Sequence, residues 1–129
     1  MVQTICVCGA GTMGSGIAQA AAQSGIYTLL FDLNKEVLQK AEASINANLD
    51  SLVSKQKITE EQRTNIKGNL QYINNINSCI ADVIIEAIIE KPEAKISLFN
   101  QLAEINHSDT IFASNTSSLS ISLLQQSIQ

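Results

Sequence analysis

The stretch Thr4-Ile5-Cys6-Val7-Cys8-Gly9-Ala10-Gly11-Thr12-Met13-Gly14 decides the fold. Its first five residues make a short, largely apolar run ending at a glycine, which suits a central parallel strand covered on both faces. A helix is expected from Thr12 to Ser24, with Met13, Ile17, Ala18, Ala21 and Ala22 facing the sheet. Small residues there let helix and strand approach closely, and Gly25 is placed to end the helix. Tyr27-Thr28-Leu29-Leu30-Phe31 reads as the second strand, terminated by Asp32.

A lone Gly-x-Gly-x-x-Gly is a weak signal. This one has a strand before it, a helix after it and an acid at the end of the next strand. Gly9 permits the tight turn, Gly11 lets a pyrophosphate approach the backbone, and Gly14 lets the helix pack against the strand. The first helical turn, with Thr12 and Met13, offers N–H groups and a partial positive charge to phosphates. Asp32 lies 18 residues after Gly14 and 23 after Gly9, close to the spacing of about 20 in dinucleotide-binding units. A carboxylate there accepts from a ribose 2′-hydroxyl and repels a 2′-phosphate. Leu33-Asn34-Lys35 supplies no arginine for such a phosphate, so NAD is expected rather than NADP. The competing reading is that the glycines only shape a turn while Asp32 caps the following helix.

Outward from this unit, Asn34 is a fitting N-cap for a helix carrying Val37, Leu38, Ala41, Ile45, Leu49, Leu52 and Val53 at helical spacing. Thr59-Glu60-Glu61-Gln62 fits a capping box, opening a short helix to Lys67 that Gly68 can stop. Leu70 to Ile73 could form a short strand, and Asp82 to Ile89 is the clearest later one. Pro92 suits the first turn of a helix with Ile96, Phe99, Leu102 and Ile105 as its buried stripe. Thr110 to Ser114 reads as a strand and Asn115-Thr116-Ser117-Ser118 as a polar loop; the tail from Leu119 to Gln129 is weakly amphipathic. The order β-α-β-α-α-β-β-α-β predicts an α/β fold: a Rossmann-type, doubly wound, mainly parallel sheet with helices on both faces, as a single domain over residues 1–129.

Composition excludes some functions and leaves others. Eight basic residues against twelve acidic give a net charge of −4, and the basic ones are scattered, which argues against nucleic acid as a partner. No apolar run approaches the roughly 20 residues of a membrane span. Met1 is followed at once by a strand start without a charged leader, so a cytoplasmic protein is expected. Cys6 and Cys8 share one face of a strand, and Cys79 leaves the count odd. The plain reading is small buried residues. A metal site would need further ligands, and the single histidine, His107, lies in another segment, so no metal site is expected.

Three stretches resemble the NAD-binding domain of the L-3-hydroxyacyl-CoA dehydrogenases, including the 3-hydroxybutyryl-CoA dehydrogenases. They are Val7 to Ala18, Ala81 to Glu90 and Ala113 to Leu119, and they span nearly the whole chain. The resemblance implies oxidation of an (S)-3-hydroxyacyl-CoA to the 3-ketoacyl-CoA by hydride transfer to NAD. It implies that Ala87, Glu90, Lys95 and Asn115 lie beside the cofactor, and that Asn115 and Ser117 support catalysis, with Ser117 on the substrate's 3-oxygen. Lys55 matches a position that contacts the CoA nucleotide. Each has a plainer reading: an ion pair for Glu90 and Lys95, a helix cap for Asn115 and Ser117, a solvated lysine for Lys55. Glu86, inside an apolar run, needs a partner whichever role it has.

The family's base is a histidine in a His-Phe-Phe-Asn-Pro-like stretch that these residues do not contain. His107 falls in Asn106-His107-Ser108-Asp109, read as a loop leading into a strand, and is expected at the sheet edge opposite the ligand crevice. The helical domain that completes the acyl-CoA cleft and forms the family's homodimer is absent as well. The expectation is therefore a truncated piece that binds NAD without turnover. Other readings stay open: a dehydrogenase of the 3-hydroxyisobutyrate or 6-phosphogluconate type, a non-catalytic NAD(H)-sensing module, and an α/β domain without a ligand.

Overall fold

In the computed structural model the described residues form five parallel strands: β1 (Thr4–Cys8), β2 (Tyr27–Phe31), β3 (Leu70–Ile73), β4 (Val83–Glu86) and β5 (Ile111–Ser114). Four helices connect them: α1 (Thr12–Gln23), α2 (Lys35–Ser54), α3 (Glu60–Gly68) and α4 (Pro92–Ile105). The structure describes residues 3–87, 92–106 and 109–114, apart from the side chains of 92–97, 99, 113 and 114. The strands lie in the order β3-β2-β1-β4-β5. All four pairings are parallel. The order reverses beside β1, so the crevice at the carboxyl ends of β1 and β4 is where an open α/β sheet takes its ligand.

Alternation along β1 sends Cys6 and Cys8 to one face and Ile5 and Val7 to the other. The first face packs with Leu29, Phe31, Ile84, Phe112 and, from α4, Leu102. The second packs with Ala18 and Ala22 of α1, Leu38, Ala41, Ile45 and Leu49 of α2, and Ile66 of α3. Leu30, Ile45, Leu49, Ile84 and Leu102 are fully buried, each contributing roughly 1.5–3 kcal/mol of transfer free energy.

The local chemistry of the elements follows the sequence closely. The Asn34 side chain accepts from the N–H groups of Glu36 and Val37, and Thr59 with Gln62 completes a capping box. Gly25 ends α1 with φ +88°. Some expectations need correction. Met13 is 52% exposed and does not face the sheet; the buried stripe of α1 is Gly14, Ser15, Ala18 and Ala22. The loop turns the first helical residues outward, so the stripe begins one residue later. Gly68 is the last residue of α3, and Asn69 is its cap. The strand expected over 82–89 is β4, with residues 88–91 outside the described ones. A 3-10 turn at Ile76–Ser78 was not expected; Asn75 starts it by accepting from the Asn77 N–H. Ile96 and Phe99 of the expected α4 stripe have side chains outside the described ones, and Ile105 is half-buried.

Candidate functional site

The site begins where β1 ends. Gly9 has φ +109°, a conformation that L side chains rarely adopt. Its N–H donates to the Phe31 carbonyl at 2.8 Å, extending the β1–β2 ladder into the loop. Ala10 is buried. Its N–H donates to Asp32 Oδ2 at 3.0 Å, and its carbonyl accepts from Ser15 Oγ at 3.0 Å. The loop is therefore held from both sides, by the end of β2 and by the first turn of α1.

Gly14 is required by contact. A Cβ there would lie 1.7 Å from the Gly9 carbonyl oxygen and 3.5 Å from the Ala87 Cβ. The Ala87 N–H donates to the Cys8 carbonyl at 2.8 Å, so the residue after β4 meets the loop directly. Gly11 is the opposite case, since a Cβ there would meet nothing within 4 Å. It is the N-cap of α1 and provides no side-chain cap, and the first turn carries no acid. Open space above uncapped helix N–H groups fits a bound pyrophosphate. Thr12 and Met13 are exposed at this edge. A groove of about 580 Å³ runs beside it between α1 and α2, lined among others by Gly11, Ser15, Gln19, Lys40 and Asn48.

Asp32 does more than the sequence suggested. Its Oδ1 accepts the Asn34 N–H at 2.9 Å while Oδ2 holds Ala10. The cap of α2 is Asn34, not Asp32, so the helix-cap reading of the acid does not hold. One protein donor on each oxygen leaves carboxylate lone pairs for ribose hydroxyls.

Glu86, the last residue of β4, is fully buried. It stands in register with Cys8 on one side and Ser114 on the other, so the chain leaves β5 at the same sheet edge as the glycine loop. Lys95 lies in the first turn of α4, with its side chain outside the described ones. Glu90, His107, Asn115 and Ser117 lie outside the described residues altogether. Lys55 is exposed and caps the C-terminal end of α2. A 20-residue helix separates it by about 30 Å from the Asp32 end, so Lys55 is not brought to the loop.

Sequence reasoning missed two features here. Ser15 is a buried brace for Ala10, one residue past the motif; its signal was a polar side chain on the buried face of a short-residue helix. Cys79, read only as an odd cysteine, brings its sulfur to within 4.8 Å of those of Cys6 and Cys8.

Comparison with known proteins agrees with this geometry. Residues 4–129 match the family described as 3-hydroxyacyl-CoA dehydrogenase, NAD binding domain. The 3-hydroxyadipyl-CoA dehydrogenase of Escherichia coli K12 is 41% identical over 129 residues, covering 99% of this chain and 27% of that protein. The 3-hydroxybutyryl-CoA dehydrogenase of Bradyrhizobium diazoefficiens is 36% identical over 127 residues, covering 96% of this chain and 43% of that one. The crystal structure of (S)-3-hydroxybutyryl-CoA dehydrogenase from Ralstonia eutropha matches with a TM-score of 0.92 at 34% identity, over 98% of this chain and 45% of that one. The chain spans less than half the length of each of these relatives. With its glycine loop, its acid after β2 and its strand order in place, the chain belongs to the family of 3-hydroxyacyl-CoA dehydrogenase NAD-binding domains.

Proposed function

We propose that the loop from Gly9 to Gly14 and Asp32 hold NAD in this chain, within a protein that oxidises an (S)-3-hydroxyacyl-CoA to the 3-ketoacyl-CoA. The observation that carries this reading is the Asp32 carboxylate, which anchors the loop through Ala10 and keeps lone pairs for a ribose. Gly11 and the N–H groups of Thr12 and Met13 take the pyrophosphate, and Gly14 and Ala87 set the floor of the crevice. Bound NAD supplies the hydride acceptor.

The remaining roles follow the family resemblance. Glu90, Lys95 and Asn115 flank the nicotinamide half of the site. Ser117 donates a hydrogen bond to the substrate's 3-oxygen and holds it as it becomes a carbonyl. Lys55, exposed at the far end of α2, meets the CoA nucleotide. The proton on the 3-hydroxyl needs a base with a pKa near working pH, and the one histidine of these 129 residues, His107, lies outside the described residues. A helical domain completes the acyl-CoA cleft and the homodimer. No helix among the described residues is long and apolar enough to cross a membrane, and the cytoplasm is the compartment in this reading.

The test is a turnover assay with NAD and (S)-3-hydroxybutyryl-CoA. The 129-residue chain produces no NADH in this reading. A longer polypeptide that continues through a helical domain produces it, and Ser117→Ala in that polypeptide lowers kcat more than it raises KM. Turnover by the 129-residue chain itself, or an unchanged kcat in the Ser117 variant, contradicts the assignment.

A further inference from the structure

Cys6 and Cys8 project from the same face of β1, and Cys79 follows the 3-10 turn that leads toward β4. The three sulfur atoms lie within 4.8 Å of one another, and all three residues are buried. The site is held from outside the cluster. Asn106 Nδ2 donates to the Cys79 carbonyl at 2.9 Å, and its Oδ1 accepts the Ala81 N–H at 2.9 Å. We propose that Cys6, Cys8 and Cys79 form a buried three-sulfur site for a soft trivalent ion of the arsenic and antimony class.

Three properties select the ion. An all-sulfur donor set favours soft ions and disfavours magnesium, calcium and manganese. The cluster has three donors, with no fourth histidine, cysteine or acid joining it among the described residues, whereas structural zinc takes four. With bonds to sulfur of about 2.3 Å and the pyramidal angles of a lone-pair ion, three sulfurs stand roughly 3.4 Å apart, so binding draws these atoms together by about 1.4 Å at most.

Charge decides between the soft ions. The walls are Leu29, Ile84, Leu102 and Phe112, and Glu86, in register with Cys8, brings no positive charge. Three thiolates around a monovalent or divalent ion would leave net negative charge in this apolar core, at high cost. A trivalent ion leaves none. Arsenous acid and three thiols exchange three As–O bonds for three As–S bonds and release three waters, with no change of oxidation state. Hydrogen bonds from Cys6 and then Cys8 lower the Cys79 thiol below its ordinary range, while hydrogen bonding and burial raise Cys6 and Cys8.

The test uses the reduced chain, unfolded in urea and refolded with arsenite so that burial does not limit access, then desalted. One arsenic per chain is expected, as a mass gain of one arsenic less three hydrogens, with three sulfur neighbours by X-ray absorption. Cys6→Ala, Cys8→Ala and Cys79→Ala should each lower the retained arsenic about tenfold or more, with refolding checked by circular dichroism. Refolding with zinc or with cuprous ion should leave less metal on the chain than arsenic. Absence of arsenic from the wild-type chain, a two-sulfur site, full retention in a refolded variant, or preferential retention of zinc or copper overturns the proposal. The wild-type absorption measurement decides the matter even where a variant does not refold. No nicotinamide cofactor enters the test, so its outcome is separate from that of the proposed function.

Discussion

The Ala10 N–H donates to the Asp32 carboxylate at 3.0 Å, so the acid proposed to read the ribose also sets the position of the loop proposed to receive the pyrophosphate. The two ends of β1 and β2 are thereby coupled through one side chain. Its second oxygen holds the Asn34 N–H, and Asn34 in turn caps α2. Loop, acid and helix start form one hydrogen-bonded unit, which makes the site preorganised before any cofactor arrives.

Two glycines of α1 should respond oppositely to alanine. Gly14→Ala drives a methyl into the Gly9 carbonyl, 1.7 Å from the ideal Cβ position, and is expected to cost about 3 kcal/mol or more. Gly16→Ala meets nothing within 4 Å and should stabilise the chain by about 0.5–1 kcal/mol through helix propensity. Urea unfolding of both variants checks the pair. Similar effects from the two substitutions would contradict the packing described for Gly14.

Asn106 joins the end of α4 to the segment before β4. Its side chain accepts from the Ala81 N–H and donates to the carbonyls of Cys79 and Leu102. Asn106→Ala strips partners from backbone groups that are poorly placed for water and should cost about 2–4 kcal/mol. The urea midpoint is expected to fall with an unchanged m-value; a shift under about 0.5 kcal/mol, as at an ordinary surface site, would show that these bonds are replaced by water.

Tyr72 on β3 gives the fold a pH dependence in strong alkali. Burial, and then the Glu42 carboxylate, raise its phenol to about 12 from an ordinary value of 10. A raised phenol pKa means that the fold favours the neutral form. This contribution to stability is present below pH 10 and is lost as the pH rises through about 12. Tyr72→Phe should remove that part of the alkaline decline in urea unfolding. An identical decline in the variant would place its cause elsewhere.

Much of this architecture was legible because local chemistry and periodicity agree. The apolar run of β1, the glycines, the Asn34 cap and the Thr59–Gln62 capping box each name their own structure from a few adjacent residues. Met13 was misread because helical period does not reveal where a glycine loop aims the first turn. The brace from Ser15 to Ala10 and the Asp32–Ala10 bond depend on a backbone path that no spacing encodes. Cys79 joins Cys6 and Cys8 across more than seventy residues, through a 3-10 turn with no periodic signal. The roles of Ser117 and Asn115 came from resemblance alone, and both lie outside the described residues.

Cofactor titration with NADH and NADPH, followed by fluorescence on the wild-type chain and on Asp32→Asn, tests the central claim most directly. Asparagine keeps an acceptor for the Ala10 N–H but removes the charge that repels a 2′-phosphate. The wild-type chain should bind NADH at least about tenfold more tightly than NADPH, and Asp32→Asn should bring the two affinities together without unfolding. Equal binding of both cofactors by the wild-type chain, or no NADH binding at millimolar concentration, would contradict the account.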